Sequence, residues 1–356
     1  MAAHTIRRAR GIWLLPPSTV LAAVGTALVL AVGAEGGPTV VQSVSCGDTI
    51  TQSVKLTADL HCSTSDGLDI GANHVTVDLG GHTIFGTSPY NGVADNGYPY
   101  ATIKNGAIDG FTNAVYLHTA AHTSVAGIVA RNNPGVAIAV DASPFTAVSK
   151  ATVVAYGYEG VYLQTDGSSL TSSTVSASSN PVGIGIVVWG SGDTVSGNAF
   201  SASAKDGIHV QYGGGNQVTK NRVEGAGDNG IRLYDTQGAT VSGNTVSGSA
   251  GVGILVQTTS DGTLLTKNTV WASGADGIEI GTDSLGSLIT ANTSNGNRSS
   301  GIDVQNSDPS SRLGKNTADF NALDGIIGAV GDADLGGNSG TDNGHTDCNI
   351  GGFPCS

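Results

Sequence analysis

Four residues in the middle of the chain carry the functional groups that sugar chemistry requires. They are His209, Arg232, Tyr234 and Asp235. β-Elimination from a uronic acid needs a cation that neutralises the sugar carboxylate and a base that removes the C5 proton. Arg232 could provide the cation, and His209 or Tyr234 could act as the base. We therefore take these four residues as the candidate catalytic set.

Carboxylates further along the chain suggest a second chemistry. Asp235 could pair with Glu279 or with Asp303 as the acid and base of glycoside hydrolysis. Such a pair could equally arise by chance, because 28 acidic residues are spread over 356 positions. The sequence leaves a lyase, an epimerase, a hydrolase and a non-catalytic structural or adhesive surface protein open.

A wider set of aromatic, amide and acidic residues recurs at matching places in the chain. Aromatic rings stack on sugar rings, and amides and carboxylates pair with hydroxyls. We predict that this set binds a polysaccharide or cell-surface glycan. The alternative is that tyrosine and arginine simply favour sheets. The predicted substrate-binding residues are Tyr116, His118, Tyr162, Gln164, Trp189, Gln211, Tyr212, Glu279 and Asp303.

A repeat of 23 or 24 residues spaces these groups. Its anchors are the Gly-Ile pairs that begin at Gly207, Gly230, Gly253, Gly277, Gly301 and Gly325. Between the anchors lie short runs with aliphatic residues at alternate positions, which predict strands and not helices. A period of this length predicts a solenoid, here an all-β, single-stranded parallel β-helix of about twelve coils of 22 to 25 residues. Stacked coils should place His209 about 5 Å from Arg232.

An asparagine also recurs once per repeat, three positions after an apolar residue. A corner residue repeated in every coil can stack its amide on the next one, and asparagine tolerates the left-handed backbone of a tight turn. We predict that these amides are structural and do not bind a ligand. They are Asn198, Asn221, Asn244, Asn268, Asn292 and Asn316.

Residues 1–34 are predicted to be a signal peptide. A basic start containing three arginines precedes an apolar run from Val20 to Val32 and a small-residue cleavage site that ends at Ala34. The apolar run is short for a membrane span, although an uncleaved anchor is the alternative. Cleavage removes the three arginines and no acid, so the formal net charge changes from −13 to −16. We expect a secreted or cell-surface monomer without nucleic-acid or membrane partners.

The four cysteines form two close pairs, Cys46 with Cys62 and Cys348 with Cys355. In an exported chain this pattern predicts two disulfides, and the spacings fit no zinc motif. Disulfides here would secure the two ends of the solenoid. We predict an N-terminal cap at 35–66, the β-helix at 67–330 and a C-terminal cap at 331–356.

Two further segments depart from the repeat. Asp332, Asp334 and Asn338 offer closely spaced hard oxygens that suit calcium, and the alternative is a polar turn. Calcium is the one cofactor that the sequence suggests. The segment from Phe85 to Pro99 contains prolines and tyrosines and is predicted to form a loop that leaves the coil.

The Asp/Asn-Gly-Ile-x-Val and Val-x-x-Asn repeats resemble the right-handed parallel β-helix superfamily that includes the pectate lyases. The opening Cys46-Gly-Asp-Thr-Ile and the later Val77-Asp-Leu-Gly-Gly-His-Thr-Ile are similar to the start of many secreted bacterial members. The resemblance covers about residues 44–356 and implies a right-handed coil. It does not select an activity, because the superfamily hosts lyases, hydrolases, epimerases, adhesins and binders.

Family motifs for catalysis are incomplete. Tyr156-Gly-Tyr158-Glu resembles the first half of the mannuronan epimerase signature, but Gly160-Val-Tyr replaces the expected Asp-Pro-His. The polygalacturonase motifs are absent, and the chain has one methionine and scattered histidines where a copper-handling β-helix protein needs ligands.

Overall fold

Short parallel strands account for the architecture of the protein. A computed structural model describes residues 43–281, 283–304 and 310–355, and the predicted signal peptide lies outside this range. The described residues form 39 strands and no helix, so none of them forms a helix able to cross a membrane. Most strands have three residues, because the chain turns a corner after each one.

In chain order, the first strands are β1 (Asp48–Ile50), β2 (Val54–Lys55), β3 (Leu60–His61), β4 (Leu68–Ile70), β5 (Thr76–Asp78), β6 (Thr83–Phe85), β7 (Asn91–Asn96), β8 (Thr102–Asp109), β9 (Asn113–His118), β10 (Ser124–Arg131), β11 (Ile138–Asp141), β12 (Ala147–Ser149) and β13 (Thr152–Val154). The middle strands are β14 (Glu159–Gln164), β15 (Ser169–Thr171), β16 (Thr174–Ser176), β17 (Ile184–Trp189), β18 (Thr194–Ser196), β19 (Ala199–Ser201), β20 (Ile208–Gln211), β21 (Gln217–Thr219), β22 (Arg222–Glu224), β23 (Ile231–Tyr234), β24 (Thr240–Ser242), β25 (Thr245–Ser247) and β26 (Ile254–Gln257). The last strands are β27 (Leu264–Thr266), β28 (Thr269–Trp271), β29 (Ile278–Ile280), β30 (Leu288–Thr290), β31 (Thr293–Asn295), β32 (Ile302–Val304), β33 (Arg312–Gly314), β34 (Thr317–Asp319), β35 (Ile326–Gly328), β36 (Ala333–Asp334), β37 (Ser339–Thr341), β38 (Cys348–Ile350) and β39 (Phe353–Pro354).

The strands stack into three parallel sheets, which confirms the predicted β-helix. Sheet 1 runs in the order β1-β4-β7-β9-β11-β14-β17-β20-β23-β26-β29-β32-β35-β38, and β39 adds one antiparallel strand at its end. Sheet 2 begins with β2, β5 and β8, and sheet 3 begins with β3, β6 and β8. The eight-residue strands β8 and β10 belong to both of these sheets.

The register stacks like residues on like residues. Ile186, Ile208, Ile231, Ile254 and Ile278 are successive partners in sheet 1, and all five are fully buried. His209 and Arg232 are partners on the same pair of strands, as predicted. Removing such aliphatic columns from water is the main force that holds the coils together.

The asparagine ladder is also present. The Asn244 amide donates to the Asn268 side-chain oxygen at 3.0 Å and to the Val218 carbonyl at 2.8 Å, and its own oxygen accepts from Asn221. The same contacts link every rung from Asn198 to Asn316, and the ladder continues to Asn338. The buried asparagine amides therefore satisfy hydrogen-bonding groups at one corner of each of these coils.

The two disulfides form as predicted, with Cα–Cα distances of 5.5 Å for Cys46–Cys62 and 5.4 Å for Cys348–Cys355. The solenoid contains about thirteen coils instead of twelve, because β1 to β3 already form a coil below the predicted first one. Beyond the predicted last coil, β38 stacks on β35. These end coils were not counted because residues 35–66 and 331–356 were predicted to be caps.

The prediction of a loop between Phe85 and Pro99 is wrong. Residues 91–96 form β7, a strand of sheet 1 in which Val93 and Ala94 are buried. Gly92 lets β7 pack closely against its neighbours, since a Cβ there would collide with Ile108 and with the backbone of Ala114. The prolines and tyrosines flank a core strand and do not replace it.

Asp95 interrupts the aliphatic stack of sheet 1. It occupies an inward position between Ile70 and Leu117 and is 0% exposed. One carboxylate oxygen accepts from the Tyr98 amide at 2.9 Å, whereas the other has no hydrogen-bond partner among the described residues. Burial therefore raises the pKa of Asp95 from 3.8 to about 6.

This carboxyl should make stability depend on pH. The folded state holds the Asp95 proton more tightly than the unfolded chain, so the stabilisation is present below about pH 4 and is lost as the pH rises through about 6. We expect Asp95→Asn to raise the free energy of unfolding by about 2 kcal/mol at neutral pH and to change it little at about pH 4. Urea titrations at both pH values measure this, with the exposed Asp283→Asn as the control. An equal effect of Asp95→Asn at both pH values would contradict the assignment.

Candidate functional site

The outward side of sheet 1, here called the sheet 1 face, carries two rows of side chains from successive coils. The first row contains Tyr116, Tyr162, His209, Arg232, Glu279 and Asp303, with Ala139, Val187 and Leu255 between them. The second row, two residues later on each strand, contains His118, Asp141, Gln164, Trp189, Gln211, Tyr234 and Gln257. The register thus aligns the predicted binding residues on one surface.

Three aromatic rings form a continuous group at the centre of this face. The Trp189 and Tyr212 ring centroids are 4.9 Å apart, and Tyr212 meets Tyr234 edge to face at 6.1 Å. Trp189 is 40% exposed and Tyr212 is 38% exposed. Tyr212 lies just after β20 in the left-handed region, with φ of 58°, which turns its ring back towards Trp189.

A shallow cleft of about 320 Å³ lies beside Trp189. Pro144 and Ala142 supply its apolar wall, and Gln164 and Asp166 supply polar groups. Pro144 and Asp166 were not predicted from the sequence, because they lie in the turns after the strands and outside the alternating pattern.

The N-terminal part of the sheet 1 face is joined by hydrogen bonds. The His118 ring nitrogen Nδ1 lies 2.7 Å from the Asp141 carboxylate, and the Tyr162 hydroxyl donates to the Gln164 side-chain oxygen at 2.9 Å. Burial, together with the nearby carboxylates Glu159 and Asp141, raises the pKa of Tyr162 to about 12. Tyr162 therefore stays neutral and acts as a hydrogen-bonding aromatic ring.

His209 is nearly buried, with 8% of its surface exposed. Its Nδ1 lies 3.4 Å from an Asp206 carboxylate oxygen, but neither ring nitrogen makes a hydrogen bond among the described residues. The pKa of His209 is lowered to about 4, mainly by burial and to a smaller extent by Arg232, against the opposing effect of Asp206. The imidazole is neutral at pH 7, and Val187 and Arg232 flank it in its row.

Arg232 already has three partners on the face. Its Nη1 lies 3.7 Å from Asp206, and its guanidinium carbon lies 5.3 Å from the Tyr234 ring centroid. With its amide oriented to accept, the Gln257 oxygen receives hydrogen bonds from Nε at 3.1 Å and from Nη2 at 2.6 Å. Asp206 was not among the predicted site residues. Its corner position could have been recognised from the Asp-Gly pair that recurs before strands of sheet 1.

Asp235 lies outside the two rows of the sheet 1 face that carry Glu279 and Asp303. Asp235 lies beyond the end of β23 with φ of 50°, and it accepts a hydrogen bond from the Thr259 hydroxyl at 2.7 Å. Glu279 is two strands away from β23 and aligns with Arg232. Glu279 and Asp303 are partners on adjacent strands instead.

The oxygens of the predicted calcium site serve the last turns of the solenoid. The two carboxylate oxygens of Asp332 accept from the Ser311 and Ala329 amides. An Asp334 oxygen accepts from the Asn338 amide, whose own oxygen completes the asparagine ladder. Within 43–281, 283–304 and 310–355, no three His, Cys, Asp or Glu residues are grouped to hold a metal ion.

A second aromatic row occupies the turn between sheets 1 and 2. His74, Tyr100, His122 and Phe145 stack face to face at 4.8, 4.8 and 5.0 Å, all with φ near 60°. The faces cover one another, so mainly ring edges meet water. Their spacing of 26, 22 and 23 residues matches the coil length and could have identified this row in the sequence.

Two families match different parts of the chain. Residues 184–339 match the family described as right handed beta helix region, and residues 42–205 match the family described as periplasmic copper-binding protein (NosD). The residues do not fit a copper site, because all four cysteines are in disulfides and no metal-holding group of three ligands occurs in the described part of the chain. No curated protein matches the chain.

Several solved structures share the fold. The A-module of the Azotobacter vinelandii mannuronan C-5 epimerase AlgE4 is 11% identical over 84% of this chain and 88% of its own, with a TM-score of 0.57. The AlgE6 A-module of the same organism is 15% identical over 85% of both chains, with a TM-score of 0.52. A mutant tailspike of E. coli bacteriophage HK620, solved with a pentasaccharide, is 13% identical over 81% of this chain and 60% of its own, with a TM-score of 0.52.

These similarities agree with the stacked coils, the three parallel sheets and the repeat register. They establish the fold and not an activity, because the identities are low. The chain folds as a right-handed parallel β-helix.

Proposed function

We propose that this protein is exported and that its sheet 1 face binds an extracellular polysaccharide. The observation that carries the proposal is the group of Trp189, Tyr212 and Tyr234, in which Trp189 and Tyr212 are exposed and Trp189 lines the cleft together with Gln164. Stacked aromatic rings next to amide groups match the apolar ring faces and the hydroxyls of a sugar polymer. The two disulfides are compatible with export.

The solved structures that share the fold add support of a different kind. Two are modules of mannuronan C-5 epimerases, and one is a tailspike bound to a pentasaccharide. All three proteins are thus named for a saccharide or were solved with one. They make a glycan a reasonable partner for this chain, whereas the aromatic face indicates where it would bind.

The geometry favours binding over elimination chemistry. The lyase hypothesis requires Arg232 to neutralise a sugar carboxylate, but Asp206, Gln257 and Tyr234 already engage its guanidinium. It also requires an accessible base, and His209 is nearly buried. We therefore propose a polysaccharide-binding protein, with His209 and Arg232 as part of the supporting framework.

Affinity electrophoresis in gels that contain single polysaccharides tests this function. Trp189→Ala should reduce the retardation of the protein and raise its dissociation constant about tenfold, since a stacked ring contributes about 1.5 kcal/mol to binding. Phe320→Ala is the matched control, because Phe320 is 64% exposed but follows β34 in sheet 3. If no gel retards the wild-type protein, a structural surface protein becomes the better interpretation.

A further inference from the structure

The charges on the sheet 1 face are unbalanced. In the described part of its two rows, Arg232 is the one guanidinium or ammonium group, and several carboxylates accompany it. Lys205 and Arg298 lie in turns before the sheet and outside these rows. A ligand laid along the face would therefore meet mostly negative charge and hydrogen-bonding groups.

Arg232 does not offset this imbalance for a ligand. Its nearest acid, Asp206, is itself buried and receives hydrogen bonds from the Asn229 backbone and side-chain amides at 3.1 and 2.9 Å. Asp206 is thus held in place beside the guanidinium, and the pair contributes little net charge. Gln257 covers another edge of Arg232.

Carboxylates surround the aromatic rings in the N-terminal part of the face. Asp141 is partly exposed beside His118, and Glu159 lies at the corner three residues before Tyr162. Both acids raise the pKa of the Tyr162 hydroxyl in addition to the effect of burial. The potential at this ring is therefore negative.

The C-terminal part of the face is acidic as well. Glu279 and Asp303 are partners on adjacent strands, and Asp276 occupies the corner three residues before Glu279. Burial raises the pKa of Glu279, and the neighbouring charges of Asp276 and Asp303 raise it further. Like charges on neighbouring coils repel an additional anion strongly when they are partly removed from water.

We infer that the sheet 1 face takes an uncharged polysaccharide and rejects a polyuronate. This inference rests on the proposed function and specifies its ligand class. A polyuronate carries one carboxylate per sugar ring, so several would face the acidic residues at once without a free cation to neutralise them. A neutral polymer meets the aromatic rings and the Gln164 amide without this repulsion.

Matched polymer pairs test the inference with the purified protein. The probes are polygalacturonate with its methyl ester, alginate with its propylene glycol ester, and carboxymethylcellulose with hydroxyethylcellulose. We expect retardation by at least one uncharged member and at least tenfold weaker binding of its carboxylated counterpart at low salt. Added salt should narrow this difference, because it screens the repulsion.

The outcomes separate the two proposals. Binding of a carboxylated polymer as tight as or tighter than that of its uncharged counterpart overturns the inference and leaves polysaccharide binding intact. No retardation by any probe overturns both.

A charge-neutralising variant addresses the mechanism. Glu159→Gln combined with Asp276→Asn should increase the affinity for the carboxylated polymer about fourfold, about twofold for each charge removed. Glu224→Gln is the control, because Glu224 lies on sheet 3 and pairs with Arg222. A gain of about twofold in this single-charge control would show that net charge alone, and not the sheet 1 face, decides the selection.

Discussion

Replacing Asn244 by leucine should lower the free energy of unfolding by about 4 kcal/mol. The side chain of Asn244 makes hydrogen bonds to the coils on both sides, with Val218 and Asn268 as acceptors and Asn221 as donor. Leucine fills the space but leaves these buried groups unpaired, and each unpaired group costs about 1–3 kcal/mol. The loss should exceed that of any single surface substitution.

Urea unfolding measures this effect, with Asn73→Leu as the control, since Asn73 is an exposed turn residue. The control should change the free energy of unfolding by less than about 0.5 kcal/mol. Similar losses in the two variants would mean that the ladder contributes no more than an ordinary surface amide.

Gly230→Ala should destabilise the protein by about 3 kcal/mol. A Cβ at this corner would lie 2.6 Å from the Gly253 carbonyl oxygen and would also collide with the Val246 side chain. The backbone of the next coil cannot withdraw without breaking the register of sheet 1, so the substitution strains both coils. The recurring glycine is therefore a requirement of coil-to-coil contact.

Gly238→Ala is the control that separates the effect of the close contact from the effect of backbone conformation. Gly238 has φ of 60°, and a methyl group added to its Cα would have no atom within 4 Å. Alanine there therefore meets only the left-handed strain of about 1 kcal/mol. Thermal unfolding of both variants makes the comparison. A smaller loss for Gly230→Ala than for Gly238→Ala would refute the role of close packing at the Gly-Ile anchor.

The acidic face also bears on how this chain compares with the epimerase modules that share its fold. Mannuronan is a uronic acid polymer, and the charges around Tyr162 and Glu279 oppose such a ligand here. Charge on this face can vary without changing the fold, because outward positions of the sheet do not contribute to the aliphatic core. Fold similarity and ligand class are separate properties of this molecule.

The repeat in the sequence was sufficient to predict the β-helix, the pairing of His209 with Arg232 and the asparagine ladder. These features are periodic: one residue type at one corner or one inward position recurs in every coil, so spacing alone reveals them. The two disulfides were predictable for a similar reason, since each cysteine pair is close in sequence. The end coils were not predicted because residues 35–66 and 331–356 were assigned to caps.

Only the tertiary structure determined what the outward residues can do. Alternation along a strand predicts that His209 points outward, but in the structure it is nearly buried, with Val187 and Arg232 from adjacent coils and the corner residue Asp206 around it. Likewise, the partners of Arg232 come from three successive coils. Accessibility and charge compensation are properties of neighbours brought together by stacking, and a period read along the chain does not contain them.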